Sequence, residues 1–172
     1  MVCPTGAWAG VNSDMMLRMP KLIVLFLSVL FLAAAADLPS RRYLNLAAIK
    51  TMVAAAETEA QKRAVNVTIC IMDESGNLLF LQKADKATLN TIQFAQKKAK
   101  YAAIYGRPSA VAEDSLKNGN LAMLVFPDGF PNRGGLPIKV DGQTIGAIAC
   151  SGAASEVDEA ISQAAIDALL KQ

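Results

Sequence analysis

The chain has 172 residues, 53% of them hydrophobic and 19% charged, so it carries the apolar material for a packed core and is not an intrinsically disordered protein. Its 17 basic and 15 acidic side chains leave a formal net charge of +2, which offers no field for capturing nucleic acid, and no nucleic-acid partner is expected. Histidine is absent, which excludes imidazole-based triads and imidazole-ligated metals, and the three cysteines, Cys3, Cys70 and Cys150, are too few and too widely spaced for a zinc ribbon or a disulfide-rich scaffold.

Leu22 to Leu32 is apolar but for Ser28, follows Arg18 and Lys21, and runs into Ala33 to Ala36, which is the order of a signal peptide. Leu22 to Ala36 supplies fifteen residues, short of the about 20 that a membrane-spanning helix needs. Residues 1–36 are therefore expected to be an N-terminal extension and signal peptide, cleaved before Ala36 or Asp37, with residues 37–172 forming one secreted or periplasmic domain that keeps no stable membrane anchor. An uncleaved anchor or a buried helix are the alternatives, and Met16 or Met19 would make a more conventional start than Met1. Removing 36 of the 172 residues leaves 136, with 15 basic and 14 acidic side chains. A domain of that size buries roughly two-thirds of its unfolded surface and needs no staple.

In the mature region, Asn45 is placed to cap a helix whose apolar stripe is Leu46, Ile49, Val53, Ala56 and Ala60. Val67 to Met72 is apolar on both parities, as a strand covered on both faces would be, and Asp73 to Asn77 turns it into a second strand, Leu78 to Gln82. Thr91 to Tyr105 reads as a helix ended by Gly106 and Pro108, and Ser109 as the cap of a short helix closing at Gly119. Leu121 to Phe126 is expected as a strand and Pro127 to Gly135 as a loop. A hairpin then follows, Leu136 to Val140 and Gln143 to Cys150 about Asp141-Gly142, and Ser155 caps a last helix to about Leu170. Hairpins in place of repeated βαβ units predict an α+β sandwich with a largely antiparallel sheet. The many alanines of the helices fit either close packing on that sheet or association with another subunit.

Four stretches in order, LNLAAIKTMVAAAETEA, ICIMDESGNLL, AQKKAKYAAIYGRPS and GGLPIKVDGQTIGAIACSGA, resemble the GlcG/HbpS-type family, also found as the C-terminal domain of PduO proteins. The resemblance covers Leu44 to Leu170. It implies a profilin-like α+β fold with a five-stranded antiparallel sheet flanked by helices, assembly with itself into dimers or octamers, and binding of haem or a related tetrapyrrole. Some such proteins are linked to haem capture or redox stress. The missing histidine departs from relatives that offer imidazole to iron, so any axial ligand must be an oxygen, sulfur or amine donor.

Candidate site residues each carry a plainer explanation. Gly134 and Gly135 allow close approach of a ligand to backbone amides, or form a tight bend, and Phe130 and Arg133 in the same loop suit a planar anionic ligand. Lys98 and its neighbour Lys97, with Arg107, could neutralise propionates, although lysines on helices are commonly solvated. Tyr101 and Tyr105 could stack on a haem or belong to the core, and Ser109 could be a weak oxygen ligand or only a helix cap. Glu156 and Glu159 are weak metal candidates, first-turn acids being equally suited to the helix dipole. Asp73 and Gly76 fit a turn. Cys70 and Cys150 fall on strands that the family fold sets side by side, leaving open a disulfide, two buried thiols or a reactive thiolate.

The expected function is that of an exported homo-oligomeric haem- or tetrapyrrole-binding protein. Two alternatives are an enzyme or accessory protein acting on a small organic acid or on haem, and a structural or regulatory oligomer with a vestigial pocket. No nucleophile–base pair or metal cluster is legible, so no catalytic residue is assigned.

Overall fold

The computed structural model describes residues 40–171, and the expected signal segment lies outside them. The described chain is helix α1 (Leu46–Lys62), strands β1 (Thr68–Asp73) and β2 (Leu78–Lys83), helices α2 (Asn90–Tyr105) and α3 (Ala110–Lys117), a 3-10 turn (Leu121–Leu124), strands β3 (Gly135–Val140) and β4 (Gln143–Ser151), and helix α4 (Ser155–Leu170). Among these residues no helix is long and apolar enough to cross a membrane.

The strands form one antiparallel sheet in the order β2-β1-β4-β3. β1 is central and is covered on both faces, as its unbroken apolar run requires. Ile69 and Ile71 join Ile138, Ile148 and Cys150 beneath Met52, Ala56, Ile161 and Ala165 of α1 and α4. Cys70 and Met72 face the other way, against Ala95 and Ala99 of α2. The result is an α+β sandwich with helices on both sides of the sheet.

Local chemistry fixes the ends of these elements. The Asn45 side chain accepts a hydrogen bond from the Ala48 amide at 2.8 Å and caps α1. The Asp73 carboxylate accepts from the amides of Ser75 and Asn77, so this residue shapes the β1–β2 turn. Asp141 and Gly142 both take positive φ, 50° and 78°, as a two-residue type I′ turn demands.

Four strands are present among the described residues where the sequence suggests five. The segment expected as a strand at Leu121 to Phe126 winds instead into the 3-10 turn. The Asn120 side chain accepts from the Ala122 amide and starts the turn, and only Met123 of the segment is buried. Leu121, Leu124, Val125 and Phe126 are exposed, so the apolar run neither joins the sheet nor packs into the core.

Two expected caps also differ. Ser109 makes no capping bond to α3, and α4 begins one residue after Ala154 with no side-chain cap from Ser155. The Asp158 carboxylate takes over at that end by accepting from the Ala153 amide at 3.0 Å.

Candidate functional site

Helix α2 carries Lys98, Tyr101 and Tyr105 and ends where Gly106 adopts a left-handed conformation, φ 60°. That reversal directs Arg107 back along the helix, so its guanidinium carbon lies 5.6 Å from the Tyr101 ring centre and 5.4 Å from that of Tyr105. The two rings sit one helical turn apart, with centres 4.8 Å from each other. Tyr105 donates its hydroxyl to the Pro127 carbonyl at 2.5 Å and meets the edge of Phe126 at 6.2 Å.

This corner has polar groups without partners. Arg107 forms no ion pair among the described residues, and its Nε is buried with no hydrogen bond. The hydroxyl of the fully buried Tyr101 is likewise unpaired. Phe126, at the edge of Tyr105, is exposed, as are Leu121, Leu124 and Val125 just before it in the chain. An uncompensated cation beside exposed apolar surface suits a ligand that is largely flat hydrocarbon with a carboxylate at its margin.

The remaining candidates do not converge on this corner. Lys98 is buried on the sheet side of α2, where its ammonium donates to Asp158 at 2.9 Å and to the Cys150 carbonyl at 3.2 Å. Burial pushes the Asp158 carboxyl up, and the adjacent Lys98 charge pulls it back only partly. Arg133 is engaged by Asp114 at 3.2 Å and Glu159 at 3.4 Å, and its backbone amide donates to Glu113 at 2.6 Å. Phe130 packs edge-on to Phe94 at 5.3 Å, with the Lys97 ammonium 5.5 Å from its ring centre.

Gly134 and Gly135 are buried, and their surroundings account for both. A Cβ on Gly135 would stand 2.3 Å from the Lys98 carbonyl oxygen, so the absence of a side chain is what lets β3 approach α2. The Gly135 amide donates to the Ser109 hydroxyl at 2.9 Å, and that hydroxyl donates to the Asn132 carbonyl at 2.8 Å. Ser109 is thus a buried tie between loop and strand, with its proton and one lone pair already used. Gly134 offers its carbonyl to Ser162 at 2.8 Å.

Glu156 is exposed and Glu159 is turned toward Arg133, and among the described residues no group of three or more metal-ligating side chains occurs. Cys70 and Cys150 are free and buried. Their register explains why no bond joins them: Cys70 pairs with Ala149, and Cys150 pairs with Ile69, so adjacent strands hold the two thiols on opposite faces of the sheet. Burial, chiefly, pushes each thiol up to about 12, so neither is a thiolate at neutral pH.

Asp158 and Ser162 have the most intimate roles that the sequence reading did not single out. The signal was the buried stripe Asp158, Ile161, Ser162 and Ala165 on α4, where a carboxylate and a hydroxyl occupy core positions.

The family model described as "Haem degrading protein HbpS-like" matches residues 44–167. Protein GlcG of Escherichia coli strain K12 is 36% identical over 100 residues, which span 58% of this chain and 75% of that protein. In structure the chain is similar to Klebsiella pneumoniae protein ORFY, with a TM-score of 0.73 and 26% identity over 79% of this chain and 97% of that one. It is also similar to PduOC, solved as a heme complex, with a TM-score of 0.68 and 27% identity over 74% of this chain and 95% of that one.

Proposed function

Because the chain belongs to the HbpS-like family, we propose that it is an exported, self-associating protein that binds haem or a related tetrapyrrole. The observation that carries this reading is Arg107, a cation braced on two tyrosine rings with a buried, unbonded Nε and no carboxylate partner among the described residues. Its neighbours supply the other half of the recognition, since Phe126, Val125, Leu124 and Leu121 expose apolar surface that a macrocycle would cover.

The residues present fit the periphery of haem better than its metal. Arg107 would hold a propionate, and the Tyr105–Phe126 wall would take the hydrocarbon face. The chain has no histidine, and the Ser109 hydroxyl is committed to Asn132 and Gly135. When bound, haem supplies a redox-active iron and its optical spectrum, and the protein's own part is to bind and shield the ring. Export is supported by the apolar run Leu22 to Leu32, and dimer or octamer formation by the exposed apolar side chains.

Titration of the purified protein with haemin is expected to shift the Soret band saturably at micromolar concentration. Arg107→Ala is expected to weaken binding about tenfold, the loss of one charge-assisted contact. A flat titration, or an Arg107→Ala variant that binds as the parent does, would remove the basis of the assignment.

A further inference from the structure

A cleft of about 240 Å³ opens above the Lys98–Asp158 pair, with Asn90, Phe94, Asn132 and Ser151 in its lining. It is separate from the Arg107 corner and shares no residue with it. Two polar groups reach it with hydrogen-bonding capacity unused. Ser151 is only 3% exposed, yet its hydroxyl has no hydrogen-bond partner among the described residues. The ammonium of Lys98, 1% exposed, uses two of its three N–H groups on Asp158 and Cys150, and the third finds no acceptor among the described residues. Both residues line the cleft, so these two groups mark where a bound molecule would place oxygen atoms.

The remaining walls limit what that molecule is. The charges of Lys98 and Asp158 cancel across 2.9 Å, so the floor gives a carboxylate no net attraction. The hydroxyl of Ser151 and the side-chain amide of Asn132 can each donate and accept, and Asn90, whose Oδ1 accepts from Thr88 at 2.6 Å, keeps its NH2 to donate, the pattern that matches an alcohol. Phe94 is 37% exposed and is held edge-on by Phe130, presenting a ring against which C–H groups can lie. The volume of about 240 Å³ suits a molecule of about monosaccharide size. We propose that this cleft binds a small uncharged polyhydroxylated molecule, with one hydroxyl between Lys98 and Ser151 and its carbon skeleton on Phe94.

The test is a titration of the isotope-labelled full-length chain with D-ribose, followed by amide chemical shifts. Saturable shifts at Ser151, Gly152 and Asn132 are expected, and Ser151→Ala, which removes a hydroxyl that holds nothing else in place, should weaken binding about tenfold with the rest of the spectrum intact. Asn132→Ala gives a second variant that alters the rim alone. Arg107→Ala should leave the ribose titration unchanged, so failure of the haem assignment and failure of this one are distinguishable. Absence of saturable shifts with ribose, an unaltered titration in Ser151→Ala, or saturation of the same amides by sodium acetate in place of ribose would each overturn the proposal.

Discussion

Lys98 and Asp158 stand 60 positions apart in the chain and meet with side chains 1% and 3% exposed. A pair so enclosed adds little net stability compared with apolar side chains, yet breaking it is costly because one charge is left without a partner. Lys98→Met is expected to destabilise the fold by about 3–5 kcal/mol, and the double variant Lys98→Met/Asp158→Leu to recover most of that loss. Urea denaturation of the two single variants and the double variant measures the coupling; additive effects would show that the charges do not act as a pair. Arg133 differs in kind, because its partners Asp114 and Glu159 are partly open to solvent and water can replace them.

At the scale of elements, the contact between α2 and the sheet rests on small residues. Ala95 and Ala99 lie against Cys70, Met72 and Ala149, and Gly135 brings β3 against the α2 backbone. Gly135→Ala is expected to cost about 3 kcal/mol or more, since the added methyl meets a carbonyl of a helix that cannot shift alone, and thermal unfolding would register it. For α2, packing on the sheet is thus sufficient reason for the alanines. Periodicity made the helices legible, and β1 was legible because both of its faces are apolar. The segment Leu121 to Phe126 misled because an exposed apolar run and a strand look alike in one dimension. The candidate site was legible residue by residue but not as a group. Lys98, Arg107 and Arg133 look equivalent as cations, and only the fold reveals that Asp158, Asp114 and Glu159 neutralise two of them and leave Arg107 unpaired.

For the whole molecule, the response to acid follows from a few carboxylates. Partial burial pushes Asp73 and Glu113 up, but the hydrogen bonds they accept, from Asn77 and Ser75 in one case and from Lys117 and Arg133 in the other, more than reverse it and hold both below their ordinary values. Each therefore contributes stability that is complete above its ordinary value and is lost as pH falls through the lowered one. Asp158 runs the other way, since its raised carboxyl favours the fold as it gains a proton. Melting temperature is expected to fall between about pH 5 and pH 3, and Glu113→Gln to flatten that decline; an identical slope in the variant would assign the acid sensitivity elsewhere.

The opposed orientation of Cys70 and Cys150 has a practical corollary. Since no cross-link can form between them without a change of register, the covalent structure of the core is the same under a glutathione-rich and an oxidising regime. The domain can accordingly be produced in an ordinary bacterial cytosol with no oxidative refolding step.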